Sequence, residues 1–276
     1  MKTLYLSDLD GTLLNNDSRL SSYAAQTLSR LVSEGMLFTY ATARSLSSAL
    51  NVTAGFLPSL PMIAYNGACI FDTSTGKRLV SYSLEKNLLE DAIAYLSPLG
   101  VYPLVYSIIE GTEKVSWLRG KENAGIERYL RLREGDKRLR AAETEAELYA
   151  GEIFYITCIG SLEEMKPINA RFAAMDGCNC ILGPEQYPIE WWCEIMPSQA
   201  TKGNAALRLK EMLSCDRIVA FGDAVNDLPL FAIADESYAV QNAVGELKAA
   251  ATGVIAPNGE DGVVRWLEER QRRGNP

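Results

Sequence analysis

The chain has 276 residues, a formal net charge of −8, and 47% apolar against 22% charged residues, which is the balance of a globular protein of one large or two ordinary domains. The acidic sign argues against sequence-independent nucleic-acid binding, which needs a basic face, but admits a small anionic substrate beside a local cation. With no histidine in the chain, Ser-His-Asp and Cys-His nucleophile systems and most zinc hydrolases are excluded, leaving acid–base work to carboxylates, Lys, Tyr or Cys.

Apolar alternation predicts a strand over residues 3–7, ending in the run Ser7-Asp8-Leu9-Asp10-Gly11-Thr12. A helix is expected over 21–34, its apolar stripe carrying Ala24, Leu28, Leu31 and Val32, with Gly35 as the stop. A strand at 36–41 leads into a helix at 45–56, a strand at 62–65 and a hairpin of 68–71 with 79–83. The texture then changes. Charged helices at 85–97, 122–132 and 143–149 mix with strands at 101–109, 114–118, 152–159, 178–182 and 190–196, as in a separate α+β module. From Lys202 the alternation returns. Helices at 202–213, 227–234, 244–251 and 261–270 interleave with strands at 217–221, 238–240 and 254–255, before a polar tail at 272–276. The expected division is a core over 1–83 and 191–276, interrupted by an insertion over 84–190.

The six cysteines, Cys69, Cys158, Cys178, Cys180, Cys193 and Cys215, make no C-x-x-C pair and read as small buried thiols. No apolar stretch reaches membrane-spanning length and the N-terminus lacks a signal-peptide layout, so neither membrane nor secretion is expected; the cytoplasm is.

The chemistry concentrates at strand ends. Side chains at i and i+2 of a strand share a face, so Asp8 and Asp10 can meet one space beyond the C-terminal end of the first strand, where open parallel sheets bind ligands. Two adjacent carboxylates imply a cation or a shared proton, and a hard ion such as Mg²⁺ is the natural partner. A second cluster, Gly222-Asp223-Ala224-Val225-Asn226-Asp227, follows the apolar strand ending at Phe221. If the two strands are neighbours, Asp8, Asp10 and Asp223 can surround one cation. Such a site suits phosphoryl transfer through a carboxylate nucleophile. Donors for the phosphoryl oxygens are expected from Thr42 with the backbone after it, opening a helix, and from Lys202, a cation at a helix N-terminus that opposes the macrodipole.

Asp8-Leu9-Asp10-Gly11-Thr12, Thr42, Lys202 and Gly222-Asp223-x-x-Asn226-Asp227 resemble motifs I to IV of the haloacid dehalogenase superfamily. The insertion between the second and third motifs resembles the C2-type cap of its Cof-like subclass IIB phosphatases. Asn66-Gly67 and Asn258-Gly259-Glu260-Asp261-Gly262-Val263 are also similar to that group, whereas Ala43 stands where the group usually has Gly. The resemblance spans almost the whole chain. It implies an α/β Rossmann-like parallel-sheet core with an inserted α+β cap, and a Mg²⁺-dependent phosphatase acting on small phosphorylated metabolites. It further implies that Asp8 attacks phosphorus and that Asp10 protonates the leaving oxygen and then activates water. Leu9, Thr42, Ala43, Lys202 and Asn226 would hold phosphate. Asp8, the Asp10 carbonyl and Asp223 would ligate Mg²⁺, while Asp227 orients metal-bound water or Lys202. A phosphomutase using the same phospho-aspartate, or a binding module on the same fold, are the alternatives.

Overall fold

The computed structural model describes residues 1–184 and 190–274. They fall into two compact units, one drawn from both ends of the chain (Met1–Ser81 and from Ala200 on) and one from Tyr82–Gln199. The first unit opens with β1 (Thr3–Ser7), whose Leu4 and Leu6 are fully buried. Helix α1 (Ser22–Ser33) begins where the Ser21 hydroxyl accepts the Ala24 N–H at 3.0 Å. Strand β2 (Leu37–Tyr40), helix α2 (Leu46–Val52) and strands β3 (Met62–Ala64), β4 (Cys69–Phe71) and β5 (Arg78–Ser81) follow.

The second unit contains α3 (Lys86–Leu96), β6 (Leu104–Ile109), β7 (Thr112–Leu118), α4 (Ala124–Leu132), β8 (Leu139–Ala142), α5 (Glu145–Leu148), β9 (Glu152–Gly160), α6 (Leu162–Ala173), β10 (Cys178–Pro184) and β11 (Trp191–Pro197). The chain then returns to the first unit with α7 (Lys202–Met212), β12 (Arg217–Gly222), α8 (Leu228–Ile233), β13 (Glu236–Val240), α9 (Gly245–Ala250), β14 (Gly253–Ile255) and α10 (Gly262–Arg272).

Five strands form a sheet in the order β14-β13-β12-β1-β2, every pair parallel. The two acid-bearing strands are therefore neighbours, with Ser7 opposite Phe221 on one side and Tyr40 on the other. This is the α/β parallel-sheet core expected from the alternating elements. Its centre is filled by Leu4, Leu6, Phe38, Ile218, Ala220 and Phe221, and each large apolar side chain buried there stabilises the fold by about 1.5–3 kcal/mol. A parallel bridge between Ala41 and Ile63 leads from β2 to the antiparallel sheet β3-β4-β5.

In the second unit six strands run in the order β10-β11-β9-β6-β7-β8, antiparallel except for the β7–β8 pair. Leu88, Ala92 and Leu96 of α3 and Met165, Ile168 and Phe172 of α6 pack with Val105, Ile156, Cys158, Cys193 and Ile195 of the sheet.

Several boundaries differ from expectation for visible reasons. The strand expected from 101 starts at Leu104, just past Pro103, which has no N–H to give a ladder. The helix expected from 122 starts at Ala124, because the Asn123 side chain accepts the Ile126 N–H at 2.9 Å as its cap. Glu122 instead accepts the Trp117 indole N–H at 2.9 Å. The helix expected to reach 56 ends at Val52. Helix α6 and strand β8 were absent from the expected set. The former carries Pro167 in its interior but is secured by a reciprocal cap between Ser161 and Glu164. Part of the polar tail, residues 275 and 276, lies outside the described residues, as does 185–189 of the expected insertion.

Candidate active site

Strand β1 ends one residue before Asp8, and the Asp8 N–H still donates to the Phe221 carbonyl at 3.0 Å. Asp8 is thus held as a continuation of the sheet, next to the end of β12. The chain then turns tightly over Leu9–Leu13, with the Leu14 N–H returning to the Leu9 carbonyl at 2.9 Å. Gly11 makes this turn possible. Its φ is +73°, and a Cβ there would collide with the Asp223 carboxylate. The turn brings the Thr12 hydroxyl to Asp223 Oδ1 at 2.9 Å.

Lys202 joins the two acid clusters. It opens α7 after Thr201, whose side chain accepts the Asn204 N–H. It is fully buried, with Nζ donating to Asp8 Oδ1 and to Asp227 Oδ1, each at 2.6 Å. A solvated surface lysine is therefore excluded. The close approach is set by the Tyr65–Gly67 turn: a Cβ on Gly67, whose φ is +100°, would overlap the Thr201 carbonyl. Asp227 is fully buried and its second oxygen accepts the Asp223 and Ala224 N–H groups at 2.9 and 3.1 Å.

Asp8, Asp223 and Asp227 each place a carboxylate oxygen within 4.8 Å of the others. Burial, and then the charges of its carboxylate neighbours against that of Lys202, raise the Asp8 carboxyl well above its ordinary range. Burial and the Asp227 charge push Asp223 up to about 6, against the Thr12 hydrogen bond. Burial alone would lower the Lys202 ammonium, but the charges of Asp227 and Asp8 outweigh it and raise it. Three carboxylates face one ammonium, so with all of them ionised the cluster carries two uncompensated negative charges. That excess and the all-oxygen donor set fit a divalent hard cation. Since both Asp227 oxygens are already engaged, Asp8 and Asp223 are the side chains with capacity to ligate it.

The remaining expected residues sort differently. Asp10 does not join the buried cluster; Arg44 holds its carboxylate through both oxygens, at 2.6 Å from Nε and 2.7 Å from Nη2. Arg44 also donates to the Ser48 hydroxyl at 2.8 Å. No role had been expected for Arg44, although a cation just before a helix start carries the same misfit that marks Lys202. Thr42 is fully buried and its hydroxyl accepts the Arg44 N–H at 3.1 Å. It does not open the helix; Ser45 caps α2. Leu9 has a fully buried side chain, so only its backbone can reach a ligand, and Ala43 is half-buried between Thr42 and Arg44. Asn226 donates to Asn66 Oδ1 at 3.0 Å, tying the fourth motif to the turn after β3.

Two further asparagines support the loop from behind. Asn242 donates to the Gly11 carbonyl at 2.7 Å, and Asn258 to the Leu14 carbonyl at 2.8 Å. Among the described residues no helix is long and apolar enough to cross a membrane.

Comparison with known proteins identifies the family. A family model described as haloacid dehalogenase-like hydrolase matches residues 5–267. A curated 5-amino-6-(5-phospho-D-ribitylamino)uracil phosphatase of Bacillus subtilis is 28% identical, with 95% of this chain and 96% of that protein covered. Among solved structures, a Thermotoga maritima protein superposes with a TM-score of 0.76 at 27% identity, covering 98% of this chain and 97% of its own. A structure described as a HAD subclass IIB sugar phosphatase gives a TM-score of 0.76 at 20% identity, covering 98% and 99%. The chain belongs to the haloacid dehalogenase-like hydrolase family, with the fold of its subclass IIB phosphatases.

Proposed function

We propose that this hydrolase is a Mg²⁺-dependent phosphatase that cleaves small phosphomonoesters through a phosphorylated Asp8. The observation that carries the reading is the fully buried Lys202, bonded at 2.6 Å to both Asp8 and Asp227 at the joined ends of β1 and β12. A carboxylate fixed by a buried ammonium keeps the orientation a nucleophile needs, and the Lys202 charge opposes the burial that raises the Asp8 carboxyl. In the first step an Asp8 oxygen attacks phosphorus and the bond to the leaving oxygen breaks, with Asp10 giving that oxygen a proton. In the second step Asp10, now a base, takes a proton from water as the water oxygen attacks phosphorus and frees Asp8.

Lys202, Thr42, the backbone at Leu9 and Ala43, and Asn226 are the groups assigned to the phosphoryl oxygens. Asp8, Asp223 and the Asp10 carbonyl would hold Mg²⁺, which supplies charge neutralisation for a phosphate dianion. Asp10 must leave Arg44 to act, so Arg44 is a positioning residue for the acid. Discrimination among substrates is assigned to the inserted unit Tyr82–Gln199.

The test is phosphate release over a panel of sugar, polyol and nucleotide monophosphates, with Mg²⁺ and with EDTA. The panel includes 5-amino-6-(5-phospho-D-ribitylamino)uracil, the compound in the name of the curated Bacillus subtilis relative. Release from at least one monoester, lost in EDTA and restored by Mg²⁺, supports the reading; full activity in EDTA contradicts the metal assignment.

A further inference from the structure

We propose that Cys180 and Cys193 are a reversible thiol–disulfide pair, a site of peroxide oxidation in the second unit that the carboxylate chemistry does not use. The sheet register brings the thiols together. Cys193 of β11 lies opposite Cys158 of β9 on one side and Leu182 of β10 on the other. Cys180 is two residues before Leu182 and so points to the same face. All three cysteines pack against the cluster that α6 covers.

Within that row one pair is in contact. Cys180 Sγ and Cys193 Sγ are 3.5 Å apart. A disulfide bond of about 2.05 Å requires a further approach of roughly 1.5 Å; because the register sets Cys180 diagonal to Cys193, closing it takes a small backbone shift of the edge strand β10 together with side-chain rotation. A three-thiolate metal cage does not compete: among the described residues these sulfurs do not all converge within 4.8 Å, as the three carboxylates do.

The pair is also asymmetric, as an attacking and a resolving thiol must be. Cys193 is fully buried, while Cys180 is half-buried on the edge strand of its sheet. Asn169 of α6 directs its amide N–H at Cys180 Sγ, at 3.4 Å, and at the Cys180 carbonyl, at 3.3 Å. Hydrogen bonding from Cys193, and then from Asn169, lowers the Cys180 thiol against the effect of burial; burial raises Cys158 and Cys178. Its place on the edge strand and the Asn169 hydrogen bond therefore assign the attacking sulfur to Cys180.

The chemistry balances with a peroxide as oxidant. The Cys180 thiolate attacks one peroxide oxygen, the O–O bond breaks, and the other oxygen leaves as hydroxide or alkoxide, giving a sulfenic acid. Cys193 sulfur then attacks the sulfenic sulfur. The S–S bond forms, the S–O bond breaks, and the departing hydroxide takes the Cys193 proton as water. The thiols lose two electrons and the peroxide gains them.

The experiment treats the intact protein with hydrogen peroxide, alkylates the remaining thiols under denaturing acid conditions and maps peptides without reduction. The expected result is loss of two of the six thiols and one cross-linked species joining Cys180 to Cys193, reversed by dithiothreitol. Cys180→Ser and Cys193→Ser should each remove it and Cys158→Ser should keep it. Asn169→Ala should slow its formation several-fold. The wild-type mapping needs no variant to fold. Six unreacted thiols, irreversible sulfinic acid at Cys180, or a cross-link to Cys158 or Cys178 would each overturn the assignment.

Discussion

Replacing Asp223 with Asn should make the metal-free protein more stable, not less. Burial and the Asp227 charge disfavour the ionised form of the Asp223 carboxyl and push it up to about 6, against an ordinary value of 3.8. An acid with a raised folded pKa binds its proton more tightly in the folded than in the unfolded state. Below about pH 4 the carboxyl is protonated in both states and costs the fold nothing; the penalty grows as pH climbs from about 4 to about 6 and is full above that. A shift of about two units corresponds to about 3 kcal/mol. Asp8 and Asp227 share the same repulsion, so one substitution should return about 1–3 kcal/mol at pH 8 and nothing near pH 4. An asparagine oxygen can still accept from the Thr12 hydroxyl, which sits 2.9 Å from Asp223 Oδ1. Added Mg²⁺ reverses the order: the wild type should gain thermal stability, more at pH 8 than at pH 5.5, and the variant should gain little. Urea unfolding in EDTA and in Mg²⁺ across this pH range measures both effects. A variant less stable than wild type in EDTA at pH 8, or one with an undiminished Mg²⁺ shift, would refute the reasoning.

Lys202→Met should abolish turnover and destabilise the metal-free fold by about 3–5 kcal/mol, because it leaves Asp8 and Asp227 buried without their cation; retained activity would remove Lys202 from the phosphoryl site. Arg44→Gln should free the Asp10 carboxylate from its two-point clasp and change kcat and its pH profile more than fold stability. Rescue by Arg44→Lys should be partial, since Lys cannot make the bidentate contact; an unchanged pH–rate profile in the Gln variant contradicts a positioning role. A chain lacking Tyr82–Gln199, with Ser81 joined to Ala200 by a short linker, should hydrolyse activated aryl phosphates without ranking natural monoesters. If that core is folded by circular dichroism and keeps the parent ranking, the inserted unit is not the selector.

The acidic strand ends were legible because chemistry and periodicity coincide there. An alternating strand runs into Asp8 and Asp10, and an apolar strand into Asp223, so the carboxylates mark where a parallel sheet exposes its ends. That β1 and β12 are neighbours was not legible: parallel pairing joins residues more than 200 positions apart, and no local signal encodes it. Arg44 was passed over because a charge beside a helix start reads as solvated surface until its partner is known, and that partner, Asp10, lies 34 residues earlier. Helix α6 was obscured by Pro167, a breaker in local terms, although Ser161 and Glu164 carried the capping signal. Strand β8 was missed because Leu139-Arg140-Ala141-Ala142 shows no clear alternation; it owes its conformation to pairing with β7. The cysteines read as small buried thiols, but which of them meet was hidden, since only the register of β9, β10 and β11 brings Cys158, Cys180 and Cys193 into one row.

The central claim is that Asp8 becomes phosphorylated, and trapping that phosphate tests it most directly. With an aryl phosphate the leaving group needs little protonation, so Asp10→Asn should slow discharge of the phosphoenzyme more than its formation. Acid quench and mass spectrometry of that variant should then find phosphate on the peptide containing Asp8, no adduct in Asp8→Asn, and inorganic phosphate as the wild-type product. Turnover by Asp8→Asn, or wild-type hydrolysis with no trappable label on Asp8 under conditions that preserve an acyl phosphate, would contradict the account.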